Sequence, residues 1–318
     1  MRSATLLKLA LSATMALLQM YIVSSAACSK YMPCRNNQCC SSTGYCGSTS
    51  SYCGWGCQSG PCYTFNKEVV DNTDMSTMEE ITVARLVTPN VFDNLFPSRN
   101  SFYSYQAFLN AASAFSAFGT TGSPVARKRE IAAFLAHVQQ ESDGLSTMDT
   151  VDDSAEVYCC AEKMCMRVNN PAKGSFDCVP GKKYFARGPM HLTWNYNYGA
   201  ASQEVGADLL AEPELLSNDA VLSFKSALWM WMNYSGATES MGPSAHEMMS
   251  GSWSPSASDE AAGRLRGFGA TIDILKGSEE CGHQSSQAEA RTQKYIEIAK
   301  LLKVSPGPNL GCASMLPF

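Results

Sequence analysis

Hydrophobic residues recur at three- and four-residue spacing between Pro124 and Glu141, and this spacing predicts an amphipathic α-helix. The apolar stripe consists of Ile131, Phe134, Leu135 and Val138. Ser123 is a suitable N-cap, Pro124 suits the first helical position, and Gly144 ends the helix. Three residues beyond Val138 the stripe reaches Glu141, so the pattern places a carboxylic acid on the inward face of the last turn.

The position of Glu141 has a chemical consequence. Partial burial and the negative end of the helix dipole both disfavour the ionised carboxylate, so we expect a pKa above the ordinary glutamate value. A carboxyl that keeps its proton is what general acid catalysis requires. An exposed glutamate in front of a loop would fit the same segment equally well.

A second stripe with helical spacing lies further along the chain, and alternation typical of strands is scarce. This stripe consists of Val221, Phe224, Leu228, Trp231 and Met232. The two stripes predict a mainly α-helical protein. A row of tryptophan and methionine side chains is typical of a protein core rather than of a sugar-binding surface.

The first 26 residues have the features of a secretory signal peptide. Basic Arg2 and Lys8 precede a short apolar run, residues 9–18, and small residues follow as far as Ala26 or Ala27. The run is too short to span a membrane, and no stop-transfer pattern follows it. We therefore expect residues 1–26 to be removed and the mature protein to be secreted into the extracellular space.

The net charge of the mature chain narrows the choice of partners. Without Arg2 and Lys8 the chain has 24 − 2 = 22 basic residues against 29 acidic ones, which gives a net charge of −7. Such a charge disfavours nucleic acids and anionic membranes as partners. A neutral substrate fits better.

The fourteen cysteines are distributed very unevenly, and in an exported chain they predict disulfides. Eight of them lie within residues 28–62. So short a segment needs disulfides to hold it together, whereas the rest of the chain is long enough to build its own core. We predict a small domain at 28–63, a flexible acidic linker at 64–82 and a large domain at 83–318.

The small domain has the pattern CSKYMPCRNNQCCSSTGYCGSTSSYCGWGCQSGPC, with its third and fourth cysteines adjacent. This spacing resembles the hevein domain, a chitin-binding module. The sequence alone does not choose among the possible disulfide connectivities. The resemblance implies the pairs Cys28–Cys40, Cys34–Cys46, Cys39–Cys53 and Cys57–Cys62.

Neutral sugar rings bind to flat aromatic side chains flanked by hydroxyl groups, because the C–H groups of a pyranose form an apolar surface. The resemblance to hevein places this function on Ser41, Tyr45 and Tyr52. A third aromatic residue of the family is replaced by Thr43. We therefore expect weaker sugar binding than in hevein itself.

Segments of the large domain resemble, in chain order, nearly the whole catalytic domain of glycoside hydrolase family 19 chitinases. These segments are SFYSYQAFLNAASAFSAFGTTG, ARKREIAAFLAHVQQESDG, PGKKYFARGPMHLTWNYNYGAA, LSFKSALWMWM, GSWSPSASDEAAGRLRGFGATIDIL and SPGPNLGCASMLPF. With the hevein-like head, this is the layout of plant class I chitinases. The resemblance implies a mainly α-helical, lysozyme-like domain of two lobes with the substrate cleft between them. It also implies a monomer that acts on chitin and N-acetylglucosamine oligomers without cofactor or metal.

By this resemblance Glu141 is the general acid of an inverting glycosidase, whose second carboxylate lies about 6.5 to 9.5 Å away and activates a water. The segment AEVYCCAEKMC offers Glu156 and Glu162 as that general base. We prefer Glu162, because it follows Tyr158 and Cys159 as the family's base follows its Tyr-Cys, although the alignment is off by one residue. An exposed loop carboxylate remains the alternative for either glutamate.

Four further residues correspond to positions in the family's substrate cleft. Thr193 corresponds to the hydroxyl residue that helps to hold the nucleophilic water, since a hydroxyl both donates and accepts hydrogen bonds. Tyr196 and Asn197 correspond to residues that orient the sugar units. Phe176 replaces a tryptophan of the family and keeps an aromatic face.

Glu280 and Arg291 correspond to a buried ion pair that tunes the charge of the acid, and a purely structural ion pair is the alternative. The chain departs from the family at three positions near the cleft. Gln140 replaces a histidine, His191 replaces a glutamine and Lys276 replaces an asparagine. Charges on His191 and Lys276 would lower the pKa of the acid. Alternatively, His191 only donates a hydrogen bond and Lys276 extends into solvent.

The remaining six cysteines are only partly explained by the resemblance. It implies the disulfides Cys165–Cys178 and Cys281–Cys312. Cys159 and Cys160 lack the family's upstream partner, so they form a vicinal bridge, pair with a second chain, or stay free. We expect no metal there, because histidines with suitable spacing are absent from the sequence nearby.

Two functions fit these observations. The first is a secreted, inverting endochitinase whose small domain holds it on insoluble chitin. The second is a lectin-like chitin-binding protein whose hydrolase domain is weak or inactive, as the replacements at Thr43, Gln140, His191 and Lys276 would allow. We favour the enzyme, because the acid Glu141 is present.

Overall fold

Helices dominate the structure, a computed structural model that describes residues 28–40, 44–48, 57–61, 82–149, 158–159, 176–234 and 242–318. The chain divides into two units, Met1–Met78 and Glu79–Phe318. The strands of the described residues are only two residues long and lie in the first unit. The mainly α-helical prediction is therefore confirmed.

The first unit contains strands β1 (Cys39–Cys40) and β2 (Cys46–Gly47), which pair in antiparallel fashion with Cys40 opposite Cys46. Its disulfides Cys28–Cys40 and Cys34–Cys46 are those implied by the hevein resemblance. The fixed spacing of cysteines replaces a hydrophobic core in so small a unit.

Cys39 and Cys57 are also disulfide-bonded. Their expected partners, Cys53 and Cys62, lie outside the described residues. Those two pairs stay predictions.

The helices of the second unit are α1 (Val83–Leu86), α2 (Pro89–Leu95), α3 (Tyr105–Ser113), α4 (Pro124–Glu141), α5 (Asn195–Val205), α6 (Leu215–Asn218), α7 (Ala220–Asn233), α8 (Ala245–Ser250), α9 (Ala257–Ala261), α10 (Phe268–Glu280) and α11 (Ser286–Leu301).

Helix α4 has the ends that the sequence predicts. The Ser123 hydroxyl accepts the backbone N–H of Ala126 (3.1 Å), and Pro124 is the first helical residue. The helix ends at Glu141, and Gly144 follows in the left-handed region (φ 68°) with its N–H donating to the carbonyl of Gln139. These ends fix where the Glu141 side chain leaves the helix.

The core forms around α4, which packs along α11, and around α7, which packs against α3. Phe134 of α4 and Trp231 of α7 meet edge to face with ring centroids 5.8 Å apart. Phe224, Leu228 and Trp231 of the predicted second stripe are buried. Each such side chain contributes about 1.5 to 3 kcal/mol through burial. The stripe is therefore core, as predicted, and not a sugar-binding surface.

The disulfides of the second unit correct one prediction. Cys281 pairs with Cys312, as expected. Cys178 pairs with Cys159, with Cα atoms 6.0 Å apart, so the predicted pair Cys165–Cys178 is wrong. All three fates considered for Cys159, a vicinal bridge, a partner chain or a free thiol, are also wrong. Cys160 and Cys165 lie outside the described residues.

The Cys159–Cys178 pairing follows from one residue at the start of α5. The backbone N–H of Asn195 donates to the carbonyl of Tyr158 (3.3 Å), and its side-chain amide donates to the carbonyl of Phe176 (2.6 Å). Asn195 thus holds the two cysteine-bearing segments side by side. Local spacing in the sequence gives no sign of this contact.

Within the described residues, none of the helices combines the length and the apolar character that crossing a membrane would require.

Candidate active site

Glu141 occupies the last turn of α4, and its side chain is only 8% exposed. Its Oε1 atom lies 2.6 Å from Nη2 of Arg291, on α11. Its Oε2 atom lies 3.1 Å from Nζ of Lys276, on α10. The carboxylate therefore has a different cation at each oxygen.

The two cations reverse the expected acidity of Glu141. Burial raises the pKa of Glu141, but the charges and hydrogen bonds of Arg291 and Lys276 lower it, and the net result is a pKa below the ordinary glutamate value. The sequence-based prediction of a raised pKa is therefore wrong. That prediction rested on burial and the helix dipole of α4; the alternative that a charge on Lys276 lowers the pKa agrees with the structure, in which both cations come from helices more than 100 residues later in the chain.

Arg291 is fixed by three partners. It is 2% exposed and donates two hydrogen bonds to Glu280, from Nη2 to Oε1 (2.6 Å) and from Nε to Oε2 (3.2 Å). Its Nη1 atom donates to Nδ1 of His137 (3.2 Å). The structure thus joins the two residues of the predicted supporting pair and connects them directly to Glu141.

The contacts of His137 identify its tautomer. An arginine only donates, so Nδ1 of His137 must accept from Arg291. The Thr271 hydroxyl donates to the carbonyl of Phe268 (2.7 Å), so its oxygen accepts from Nε2 of His137 (2.9 Å). Burial, followed by the charges of Arg291 and Lys276, holds the pKa of His137 well below its usual range. His137 is therefore a neutral support for Arg291.

Glu141 faces a cavity of about 490 Å³. One side of the cavity comes from α4 and α10, and the other from residues 186–197. The predicted site residues along its walls are Glu141, His191, Thr193, Tyr196, Asn197 and Lys276. Six residues chosen from separate parts of the sequence thus meet at one site.

Phe176 is a predicted substrate-binding residue that is absent from the described lining of this cavity. Its ring packs over Gly199 of α5, where an added Cβ atom would lie 2.4 Å from the ring. Phe176 therefore supports α5, and the prediction that it contacts substrate gains no support from this cavity.

The hydroxyl of Thr193 is already engaged. It donates to the carbonyl of His191 (2.8 Å), so its oxygen is available mainly as an acceptor. The amide of Asn197 donates to the carbonyl of Thr193 (2.9 Å). These bonds fix the turn that presents both side chains to the cavity.

His191 lies near Glu141 without a hydrogen bond between them, because its Nδ1 atom is 3.9 Å from Oε2 of Glu141. Burial lowers the pKa of His191 below the ordinary histidine value, so its ring is neutral near pH 7. Its Nε2 atom is buried without a hydrogen-bond partner among the described residues. Of the two residues expected to add charge beside the acid, only Lys276 does so.

The sequence analysis missed an aromatic wall of the cavity. The ring of Trp194 lies nearly parallel to that of Tyr196 (11°, centroids 6.4 Å apart) and edge to face with that of Tyr158 (5.3 Å). All three residues line the cavity. Trp194 has a left-handed backbone (φ 76°), which is costly for a bulky residue and is found mainly at functional sites. The tryptophan directly before the NYNY segment was the available signal.

Asp273 is a second carboxylate on the cavity lining, on α10 one turn before Lys276. It is 3% exposed, and neither carboxylate oxygen has a partner with hydrogen-bond geometry among the described residues. Gly277 leaves room for it, since a Cβ there would lie 2.7 Å from Oδ1 of Asp273. Burial raises the pKa of Asp273 to about 6, although the charge of Arg264 and the backbone of Phe318 lower it in part.

Several predicted residues lie outside the described residues: Ser41, Tyr52, Glu156 and Glu162. The exposed Tyr45 is the described residue of the predicted sugar-binding surface in the small unit.

Comparison with known families and proteins agrees with this architecture. The model of the family described as chitinase class I, glycoside hydrolase family 19, matches residues 86–312, and the model described as chitin recognition protein matches residues 26–62. Chitinase 1 of Oryza sativa subsp. japonica is 40% identical over 304 residues, 90% of each chain. An endochitinase of Phaseolus vulgaris is 39% identical over 90% of this chain and 84% of its own.

Solved structures give the same result. Chitinase C from Streptomyces griseus superposes with a TM-score of 0.59 at 33% identity, over 71% of this chain and 80% of that one. A class IV chitinase of family 19 from Zea mays gives a TM-score of 0.57 at 33% identity, over 72% of this chain and 98% of that one. The chain therefore belongs to glycoside hydrolase family 19, the class I chitinases, and carries a chitin recognition domain ahead of its catalytic domain.

Proposed function

We propose that this chain is an endochitinase that hydrolyses β-1,4 linkages between N-acetylglucosamine units of chitin, with Glu141 as the general acid. The observation that carries the assignment to Glu141 is its place at a cavity: Arg291 holds one carboxylate oxygen, and the other faces cavity-lining residues. A proton carried by Glu141 can therefore be donated only from the carboxyl oxygen on the cavity side.

The lowered pKa of Glu141 has a consequence for the working pH. A general acid acts only in its protonated form, and a carboxyl with a lowered pKa loses its proton at lower pH. We expect hydrolysis to be fastest on the acidic side and to fall as the pH rises. Substrate that displaces water from the cavity favours the neutral carboxyl and raises its pKa during turnover.

Inversion requires a second carboxylate, which we assign to Glu162, with Glu156 as the alternative. In this mechanism the base activates a water on the opposite face of the sugar. Thr193 is suited to hold such a water, because its hydroxyl oxygen can accept a hydrogen bond from it while the hydroxyl donates to the carbonyl of His191. Tyr196 and Asn197 line the same cavity and are placed to orient the sugar.

The aromatic wall of Tyr158, Trp194 and Tyr196 suits a neutral sugar polymer. The flat rings match the apolar C–H face of a pyranose, and we propose that Trp194 stacks on one sugar unit. The remaining polar groups of the wall give directional hydrogen bonds.

The small domain is proposed to hold the enzyme on insoluble chitin through Ser41, Tyr45 and Tyr52. The Tyr45 side chain is 55% exposed, as a residue that contacts a sugar ring must be. A tethered binding module raises the local concentration of the catalytic domain on its substrate. Secretion after removal of residues 1–26, and action as a monomer without cofactor, complete the proposal.

The test is the release of products from chitin oligomers by the wild-type protein and by Glu141→Gln. Removal of a general acid costs about 10²- to 10⁴-fold in rate, so we expect a loss of that size. Equal and negligible release by both proteins would instead support the lectin-like alternative.

The base is assigned by the same measurement on Glu162→Gln and Glu156→Gln, and the variant with the larger loss identifies it. The anomeric form of fresh product tests inversion separately. A product that keeps the β-configuration would remove the water-activating role from either glutamate.

A further inference from the structure

The two oxygens of Glu141 are not equivalent. Oε1 is held at 2.6 Å by Arg291, which is itself fixed by Glu280 and His137. A proton on Oε1 would face a guanidinium that only donates hydrogen bonds. The transferable proton must therefore be on Oε2.

The space next to Oε2 is taken in the free protein. Nζ of Lys276 lies 3.1 Å from Oε2, which is the distance at which a glycosidic oxygen would have to lie to receive the proton. An ammonium group cannot accept that proton, and it stabilises the carboxylate as an anion. With Lys276 in this place, Glu141 can neither hold its proton nor reach a leaving oxygen.

Lys276 has a second carboxylate within reach. Its Nζ atom lies 4.0 Å from Oε2 of Glu279, a side chain that is 71% exposed at the edge of the cavity. The backbone of Lys276 leaves helical geometry (φ −141°, ψ 19°), so α10 is kinked where the lysine turns toward Glu141. A small change of side-chain rotamer would move the ammonium from the buried glutamate to the exposed one.

We propose that Lys276 is a positioning residue that holds Glu141 as an anion in the free enzyme and moves toward Glu279 when chitin enters, so that Oε2 takes up a proton and donates it to the glycosidic oxygen. This inference rests on the proposed function. It adds that substrate binding and activation of the acid are one event, coupled through a single lysine.

The charged and titratable groups around Glu141 come from every element packed against it. They are Arg291 of α11, Lys276 and the cavity-lining Asp273 of α10, His191 of the 186–197 segment and His137 of α4, with Glu280 and Glu279 acting through Arg291 and Lys276. Both histidines have lowered pKa values and are neutral near pH 7. Arg291 is buried and also paired with Glu280, which leaves Lys276 as the cation that can move.

The direct test is a titration of the Glu141 carboxyl by ¹³C NMR, in which its signal is identified by its loss in Glu141→Gln. Lys276→Gln keeps a hydrogen-bond donor and removes the charge. We expect its titration midpoint to move to higher pH than in the wild type. Lys300→Gln, an exposed lysine on α11 outside the site, is the matched control and should leave the midpoint unchanged.

The kinetic test is the pH profile of kcat/KM on chitin oligomers. We expect the alkaline limb of Lys276→Gln to move to higher pH, and kcat/KM above that limb to rise roughly tenfold for each pH unit by which the limb moves. The change should be small in kcat itself, because kcat reports the substrate complex, from which Lys276 has already moved away. Glu279→Gln should lower kcat/KM in the wild-type background and have no effect in the Lys276→Gln background, because it acts through the lysine.

The outcomes separate the two proposals. If the wild type and Glu141→Gln both fail to release product at every pH, the proposed hydrolase function is wrong, while the titration still reports on Lys276. If the wild type is active but Lys276→Gln titrates and behaves like Lys300→Gln, the inference about Lys276 is overturned. If the alkaline limb of kcat moves as far as that of kcat/KM, Lys276 still holds Glu141 in the substrate complex, and the step in which it leaves Oε2 is overturned.

Discussion

Helix α4 carries two buried glutamates, Glu130 and Glu141, and their surroundings differ in kind. Glu130 is fully buried, and its oxygens accept hydrogen bonds from the backbone of Gly119 (3.0 Å) and the indole of Trp231 (3.1 Å), with His246 as a further partner. Glu141 instead forms ion pairs with Arg291 and Lys276 and faces the cavity.

The difference concerns what surrounds each carboxylate rather than how deeply it is buried. These hydrogen-bond partners of Glu130 are buried, and Glu130 is absent from the described lining of the cavity that Glu141 faces, so its interactions hold α4, α7 and α8 together. Glu141 has one oxygen held by the buried Arg291 and one that pairs with the partly exposed Lys276 at a cavity wall. Burial of a carboxylate is therefore not evidence of catalysis; an open side is also needed.

The largest expected effect is on kcat and distinguishes the two glutamates when each is replaced by glutamine. Glu130→Gln places an amide donor against one of the existing donors and leaves a buried group unsatisfied, at a cost of about 1 to 3 kcal/mol in the free energy of unfolding. Its kcat per folded molecule should equal that of the wild type. Glu141→Gln should lose kcat, and it should also lose some stability, because the ion pairs with Arg291 and Lys276 are removed.

Chemical denaturation and product release, measured on both variants, test this expectation. The comparison fails if Glu130→Gln loses turnover while it is fully folded. It also fails if Glu141→Gln keeps the turnover of the wild type.

A smaller effect is expected for two tryptophans, Trp194 in the wall of the Glu141 cavity and Trp231 beside Glu130. Trp194→Ala removes a ring from the cavity wall and should raise KM for chitin oligomers roughly tenfold, since aromatic stacking contributes about 0.5 to 1.5 kcal/mol beyond its buried area. Trp194→Phe keeps a ring and should recover most of the loss.

Trp231→Phe is the matched change beside Glu130. It removes the indole N–H that donates to Glu130, so it should lower the free energy of unfolding by about 1 kcal/mol and leave KM unchanged. A rise in KM for Trp231→Phe, or none for Trp194→Ala, would contradict the division between the two regions.

The last expected effect is on stability alone and concerns Asp273, a buried carboxylate in the lining of the cavity. Because burial raises its pKa to about 6, the folded state binds a proton that the unfolded state, with a pKa near the ordinary aspartate value, has already released. The stability from this group is therefore complete below about pH 4 and is lost as the pH rises toward and through about 6.

Asp273→Asn has nearly the same shape and no charge. The rise in the pKa of Asp273 to about 6 corresponds to roughly 3 kcal/mol, so we expect the melting temperature of the variant to exceed that of the wild type by about 6 to 12 °C at pH 8 and to match it at pH 4. Calorimetric melting curves at the two pH values provide the measurement. An equal difference at both pH values would show that the substitution acts through packing and not through ionisation.

The sequence predicted those parts of the fold that depend on local pattern. Ser123 and Pro124 mark the start of α4, and the apolar spacing carries the helix to Glu141, because capping and periodicity are properties of neighbouring residues. The same spacing identified Trp231 as core. The family resemblance then brought Thr193 and Lys276 to the right cavity.

What the sequence alone did not provide depends on contacts between distant segments. The pKa of Glu141 is set by Arg291 and Lys276, and neither can be placed beside it from the pattern of α4. The Cys159–Cys178 bond depends on Asn195, which holds two separate segments together through its backbone and its side chain. Such contacts are specified only by the complete fold.

Arg291 contributes both to the stability of the fold and to the properties of the proposed acid. Its guanidinium donates to carboxylates of two helices, and its side chain is almost completely buried. Directed evolution for heat resistance should therefore leave Arg291 unchanged, since every replacement removes an ion-pair partner from both Glu141 and Glu280. Selection for a different pH optimum can act on Lys276 instead. Its side chain is partly exposed, and it is ion-paired with Glu141 and with the exposed Glu279. The thermal stability of this domain and the pH dependence of its activity can thus be engineered at separate positions.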